Sequence, residues 1–311
     1  MSTAVQPASA QFVPTESQLR VAYSVCRSIA RAAAKNFYYA FLVLPKSKRD
    51  ALCAVYAYMR RCDDIADDSS AALAERRNRL AAWLESLHRV QAGQPTDDPV
   101  LLGLTDAQRR FSIPAELLDQ LAHGTAMDVE EQVELAAAAT PHIQYKSFHD
   151  LCFYCYRVAS VVGLVCIRVF GYRDPKAEQL AERLGLAFQL TNIIRDVKED
   201  LEMGRIYLPQ EDLKKFGVSL LQLTTAPGSE SVRALLAAEA DRAREFYASA
   251  DELVHLIDED SQPALWVLAT IYRRLLERIA GQQYDVFKQR VSLTTREKLM
   301  ILGKGFLKRL V

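Results

Sequence analysis

The chain has 311 residues, and its 39 Lys and Arg are balanced by 39 Asp and Glu, so the formal net charge is zero. Half of its residues are hydrophobic and only 12 are glycine and 11 proline, a makeup that builds a buried core and excludes a disordered chain. The balance also gives no support to a nucleic-acid binder, which would carry a basic excess. Residues 1–16 lack the basic start and apolar centre of a secretory signal and read as a disordered lead-in. Beyond them, apolar residues recur at three- and four-residue spacing over Leu19–Ala34, Lys46–Cys62, Ala71–Val90, Ala115–Val129, Phe148–Phe170, Ala177–Val197, Val232–Leu256 and Ala264–Phe287. Short Gly- and Pro-bearing loops separate them, at Gly93–Pro99, Pro141, Gly171–Pro175, Gly204–Pro209 and Thr224–Ser229. No alternating run with a turn dipeptide suggests a hairpin. The most apolar stretch, Val158–Ile167, falls short of the roughly 20 residues that a spanning helix needs. The six cysteines form no disulfide framework, and Cys152 and Cys155 lack the second ligand pair of a zinc site. The predicted architecture is an all-α bundle, in which sites form between facing helices.

Chemistry concentrates in three segments. Asp63, Asp64, Asp67 and Asp68 crowd the end of the Lys46–Cys62 helix. Aspartate is a poor helix former, like charges repel at i,i+4, and acid at a helix C-terminus opposes the macrodipole. Such a run is either a solvated helix end or a site awaiting a cation. The Asp63/Asp67 pair has the spacing to share one helical face. In the second segment, Asn192, Asp196 and Asp200 fall at i, i+4 and i+8, flanked by Gln189 one turn earlier. They lie among Leu184, Phe188, Leu190, Ile193 and Ile194, the residues of a buried helix. A buried unpaired amide costs about 1–3 kcal/mol, so Gln189 and Asn192 need either a core hydrogen-bond network or a ligand. Two acidic stripes facing each other would hold Mg²⁺ around diphosphate oxygens. Because the stripes near residues 63 and 196 need each other, one domain over 17–311 is the better reading, although the length is compatible with two. The third segment is Tyr154-Cys155-Tyr156-Arg157 followed by Ala159 and Gly163, small residues that allow close helix approach or leave room for a chain-like ligand.

At these residues the chain resembles the squalene/phytoene synthase family, the head-to-head (1–1′) prenyltransferases. The matching segments run from Lys35-Asn36-Phe37-Tyr38 through Tyr56-Ala57-Tyr58-Met59-Arg60-Arg61, the Asp63–Asp67 motif, Met127-Asp128 and Tyr154 to Ala159. They continue through Gln189 to Asp200, Gly204-Arg205-Ile206-Tyr207-Leu208-Pro209, and Tyr272 to Arg290. The resemblance implies a single-domain isoprenoid-synthase fold around a central cavity. It implies Mg²⁺ at Asp63, Asp67, Asn192, Asp196 and Asp200. It implies diphosphate and prenyl-chain contacts at Lys35, Phe37, Tyr56, Arg60, Gln189, Arg195, Tyr272 and Arg290, and a role for Tyr154 near the first condensation. Some members carry serines at the positions of Ala34 and Asn36, and Ala34 cannot replace that phosphate contact. Tyr154 to Ser160 with the following Val169-Phe170-Gly171-Tyr172 looks most like the bacterial presqualene-diphosphate synthases of hopanoid pathways. The Ala34–Tyr38 segment looks more like phytoene synthases.

The implied reaction starts with departure of one allylic diphosphate, stabilised by Mg²⁺ and by Arg and Lys. The 2,3-double bond of a second prenyl diphosphate attacks the cation, a proton leaves to Tyr154 or to a diphosphate oxygen, and a cyclopropylcarbinyl diphosphate forms. Two farnesyl diphosphates giving presqualene diphosphate is the main reading, and two geranylgeranyl diphosphates giving phytoene is the alternative. NADPH use is left open. Elongases and terpene cyclases share the first motif but not the second. A non-catalytic assembly factor of the same fold would have lost its carboxylates, and here each motif position is filled. Residues 296–311 combine Arg296, Lys298, Lys304, Lys308 and Arg309 with Leu299, Met300, Ile301, Leu302, Phe306 and Leu307. They form either a last core-packed helix or a basic amphipathic contact with membrane, useful for handing an oily product to downstream isoprenoid enzymes. The expected location is cytoplasmic, with peripheral contact on the inner face of the membrane as an option.

Overall fold

The computed structural model describes residues 12–137 and 142–310, and side chains there except those of Lys35, 128–137, 142 and 309–310. The helices predicted from periodicity form, and capping side chains set several of their starts. Thr15 opens α1 (Glu16–Ala33) with a capping box, satisfying two orphan backbone groups reciprocally with Gln18. Next come α2 (Lys35–Phe41), α3 (Lys46–Ala66), α4 (Leu73–Gln91), α5 (Pro99–Phe111) and α6 (Ala115–Ala137). A second capping box at Ser147 starts α7 (Phe148–Cys155), which passes through a π-turn at Tyr156–Ser160 into α8 (Val161–Phe170). The long α9 (Lys176–Glu202) carries the second acidic stripe. Short α10 (Gln210–Lys215) and α11 (Leu220–Thr225) lead into α12 (Glu230–Leu256), α13 (Gln262–Gly281) and α14 (Thr295–Leu310).

Besides the short helices α2, α10 and α11 and the π-turn, which no predicted stretch anticipates, three further features differ from the predicted pattern. Helix α5 lies outside the predicted stretches: Thr105 and Asp106 interrupt its apolar run, and the structure buries both, with Tyr23 donating to Asp106 at 2.7 Å. Asp98 caps it, accepting from the amides of Val100 and Leu101, and Pro99 takes the first position, where no amide is needed. Helix α13 stops at Gly281, six residues before the predicted end at Phe287, because Gln283 and Tyr284 both adopt left-handed backbone (φ 53° and 59°). The strands β1 (His142–Ile143) and β2 (Arg205–Ile206) pair in parallel for two residues, tying the α6–α7 connection to the α9–α10 connection.

One hydrophobic core runs through the bundle, and α9 packs at its centre against α12, α8 and the π-turn. Close approach there depends on glycine. A Cβ on Gly185 would stand 2.6 Å from Ser160 Cα, and one on Gly163 would stand 2.8 Å from the Ala181 carbonyl oxygen. Ser160 Oγ donates to the Glu182 carbonyl at 2.7 Å, fixing the π-turn against α9. The continuous helical stretch Phe148–Phe170 is, by composition and length, apolar enough to cross a membrane. That exceeds the shorter span read from the sequence. Here it packs against α9, α6 and α3, and is a core element of the bundle.

Candidate active site

The first acidic motif closes α3. Its four aspartates divide by partner. Asp64 pairs with Arg60 one turn back at 2.6 Å. Asp68 accepts from Ser70 and Arg79, and those bonds bring its carboxyl to about 2. Asp63 and Asp67 are the i,i+4 pair singled out by spacing. Thr125 of α6 donates to Asp63 at 3.4 Å, and the Asp67 amide caps the helix on the Asp63 carbonyl. Local bases thus relieve part of the repulsion inherent in the sequence, Arg60 at Asp64 and Arg79 at Asp68.

The second motif lies on the C-terminal half of α9. Asp196 is gripped by two guanidiniums. Arg195 donates to both of its oxygens, and Arg290 donates from Nε at 2.8 Å and from Nη2 at 3.0 Å. Burial alone would raise the Asp196 carboxyl, but the hydrogen bonds from Arg195 and Arg290 outweigh it and hold it below the usual range. Arg290 stands 94 residues away in sequence and reaches Asp196 from the loop that follows the left-handed turn at Gln283 and Tyr284. One turn on, Asp200 is pushed up to about 7 by burial first and by the Asp196 charge second. Glu199 Oε2 and Asn192 Oδ1 are both buried without a hydrogen-bond partner. Asn192 reaches Gln189 only through its amide nitrogen, at 3.4 Å. A closed core network would have satisfied that oxygen; it faces a site.

Gln189 and Asn192 also line an apolar cavity between α2, α3, α8, α9 and α13. Tyr56 of α3 and Tyr272 of α13 line the same cavity, and the charges of Asp63 and of Asp196 act on Tyr56 and Tyr272 respectively, so each motif lies near this lining. Burial raises the Tyr272 hydroxyl, while Arg195, Asn192 and Asn36 oppose the shift. Most of the lining is apolar. Phe37 meets Tyr272 edge-on at 6.0 Å, and Phe188 stacks on Tyr272 at 4.5 Å. These rings make a π-rich part of the lining, and aromatic faces attract cations. Val158, Ala159, Val162 and Gly163 form another wall, so the small residues of the third segment do both things anticipated, admitting α9 closely and leaving room.

Most sequence-predicted residues meet here. Phe37, Tyr56, Gln189, Asn192 and Tyr272 line the cavity; Arg60, Asp63 and Asp67 sit at the end of α3; Arg195, Asp196, Asp200 and Arg290 form the opposing cluster. The Lys35 side chain and Asp128 lie outside the described side chains. Tyr154 does not line the cavity. It is buried in a stack with Tyr207 at 5.1 Å and Tyr145 at 5.5 Å, a turn before Val158. Phe188 and Glu199 were not given a role from the sequence; the stacking of Phe188 on Tyr272 and the unpartnered Glu199 Oε2 become visible only in the fold.

The donor set suits a hard divalent cation. Carboxylate and amide oxygens predominate, two of them buried without partners, and oxygen is the ligand of Mg²⁺. Among the described residues no three acidic, His or Cys side chains converge into a finished metal site. The arrangement fits ions that bring phosphate oxygens and waters with them, as Mg²⁺ does.

Similarity to known proteins agrees with this geometry. The squalene/phytoene synthase family model matches residues 30–297. The chain is 35% identical to the 15-cis-phytoene synthase of Synechococcus elongatus, over 94% of this chain and 95% of that one. It is 37% identical to the phytoene synthase of Mycobacterium tuberculosis, over 91% and 90%. A crystal structure of a dehydrosqualene synthase superposes with a TM-score of 0.82 at 31% identity, covering 93% of this chain and 96% of that one. The squalene synthase HpnC of Alicyclobacillus acidocaldarius gives 0.76 at 29% identity, over 88% and 97%. None of these four proteins is named as a presqualene-diphosphate synthase of a hopanoid pathway, the relative favoured from the sequence, whereas the cyanobacterial and mycobacterial relatives are both phytoene synthases. With its stripes, cavity and most of its length accounted for, this chain belongs to the squalene/phytoene synthase family and is a prenyltransferase of that type.

Proposed function

We propose that the protein condenses two geranylgeranyl diphosphates head to head, through a cyclopropylcarbinyl diphosphate, to phytoene, releasing both diphosphates. This reverses the order of the two readings made from sequence, where farnesyl diphosphate came first. The supporting observation is one apolar cavity whose lining includes Gln189 and Asn192 of the second motif and Tyr56 and Tyr272, on which charges of both motifs act. The phytoene synthases among the relatives favour the longer donor.

In this reading Asp63, Asp67, Asn192, Asp196 and Asp200 hold Mg²⁺, which when bound neutralises the diphosphates and draws electrons from the breaking C–O bond. Arg60, Lys35, Arg195 and Arg290 bind diphosphate oxygens. Arg195 and Arg290 hold Asp196 oriented and ionised between turnovers. Phe37, Phe188 and Tyr272 present ring faces to the allylic cation, and the apolar lining keeps water from quenching it. Gln189 and Tyr56 position the donor in the cavity. The proton shed on cyclopropane closure passes to a diphosphate oxygen or to Tyr154. Formation of phytoene ends in a second proton loss and consumes no NADPH. The expected setting is the cytoplasm, with residues 296–311 in peripheral contact with the inner face of the membrane and the product passing to downstream isoprenoid enzymes.

The test is incubation with Mg²⁺ and either geranylgeranyl or farnesyl diphosphate, with and without NADPH, followed by mass analysis of the extract. A C40 hydrocarbon formed without NADPH is expected. A C30 product formed in preference, which the dehydrosqualene and squalene synthase neighbours make the second reading, would overturn the donor assignment. No product from either donor would overturn the reaction.

A further inference from the structure

The last helix has two apolar faces, and the bundle uses only one. Ile301, Leu302 and Gly305 are buried against α13 and α2. Gly305 makes that contact tight, since a Cβ there would stand 2.4 Å from Val267. On the opposite side Leu299 is 52% exposed, Met300 50%, Phe306 41% and Leu307 65%. At 100° per residue these four lie within one arc pointing away from the core. Four of the nine exposed large hydrophobic residues of the described chain thus stand on one 16-residue helix.

The charge around this arc is one-sided. The helix carries Arg296, Lys298, Lys304, Lys308 and Arg309 against Glu297 alone, in a chain whose total charge is zero. Glu297 is spent within the protein, holding Arg278 and capping the helix through Thr294. Lys298 lies over the Tyr39 ring and Lys308 over Trp266, at 5.8 and 5.1 Å, so their ammonium groups sit beside aromatic rings at the edge of the helix. Long basic side chains in this position cover apolar surface and keep their heads in the polar layer.

We infer that the outer face of α14 docks on an anionic lipid bilayer, with Leu299, Met300, Phe306 and Leu307 entering the acyl boundary and Lys304 and Lys308 meeting lipid headgroups. A second copy of the chain fits the charge badly, because it would set two strongly basic helices against each other. Helix α14 packs on α2 and α13, which supply Phe37, Phe41, Leu265, Leu268 and Tyr272 to the cavity. Docking therefore leaves a single helical layer between the bilayer and the space that holds the prenyl chains. This docking deepens the peripheral-membrane reading of residues 296–311 and rests on that surface alone.

The test uses the full-length protein without substrate, so failure of the donor assignment leaves its outcome intact. Sedimentation with vesicles of phosphatidylglycerol and phosphatidylcholine, against phosphatidylcholine alone, should show binding to the anionic vesicles that weakens with salt. The double variants Leu299→Ser/Leu307→Ser and Lys304→Glu/Lys308→Glu should each lower the vesicle-bound to free ratio about tenfold or more. Both should keep the turnover of the parent in detergent solution, which establishes folding. Brominated acyl chains should quench Trp266, beneath Lys308, and spare Trp83, the other tryptophan, giving a readout that needs no variant. Equal binding by parent and both variants, no binding to anionic vesicles, or a dimer in solution that the Leu299→Ser/Leu307→Ser variant dissolves would each overturn the inference.

Discussion

At Asp196 two guanidiniums occupy the carboxylate that the proposed chemistry needs. Their bonds are charge-assisted, and the site keeps its acid ionised in spite of burial. Arg290→Ala should therefore lower affinity for diphosphate and also loosen Asp196, raising the Mg²⁺ concentration for half-maximal turnover several-fold at unchanged thermal stability. Titration of activity with Mg²⁺ measures it. Tyr154 poses a sharper question, being stacked behind the cavity wall and absent from its lining. Tyr154→Phe keeps the stack and removes the hydroxyl. Turnover reduced tenfold or more would give Tyr154 the proton, and unchanged turnover would give it to a diphosphate oxygen. The acids, amides and their spacing were legible in the sequence, because i, i+4 geometry is a property of the helix alone. The clasp by Arg290 was not, because it depends on two non-glycine residues entering left-handed backbone, which shortens the predicted helix by six residues.

Among the elements, the joint between α9 and the π-turn is the tightest. A methyl on Gly185 meets backbone at 2.6–2.9 Å, and neither side can yield without moving the wall of the cavity. Gly185→Ala should cost about 1–3 kcal/mol in stability, the usual range for overpacking, and disturb turnover as well. Gly281→Ala has nothing within 4 Å and should be neutral or slightly stabilising. Thermal melts of the two variants check this contrast. Helix α10 is anchored to α12 by a buried triad: Arg242 donates to Asp212 at 2.6 and 2.8 Å and to Glu239 at 2.9 Å. Two buried acids share one base, and Glu239 Oε2 has no partner. Burial raises the Glu239 carboxyl above its ordinary 4.5, so the native state holds a proton that the unfolded chain releases. Stability from this group is full below pH 4.5 and is lost as pH rises through the raised value. Glu239→Gln should remove that loss, gaining on the order of 1–3 kcal/mol relative to the parent at pH 8 and little at pH 4. Urea unfolding at both pH values measures it. Periodicity predicted α9 and α12 well, since both are 27 residues long. It missed α5, only 13 residues long and interrupted by the buried Thr105 and Asp106, and it gave no sign of the π-turn, which packs against Gly185.

Across the whole molecule, zero net charge hides a strongly uneven distribution. Acids gather on α3 and α9, and bases gather on α14 and around Asp196. The bundle is a single domain, because one hydrophobic core joins α3 and α9, the helices that carry the two stripes. In the proposed reaction the two stripes act as one site on one ionisation. Diphosphate release from geranylgeranyl diphosphate with Mg²⁺ tests it most directly in Asp63→Asn, Asp196→Asn and the double variant. Each single variant should lose about a hundredfold or more in turnover, and the double should lose far less than the product of the two, because each removes the same stabilisation. Full turnover in either single variant, or losses that simply multiply, would contradict the account.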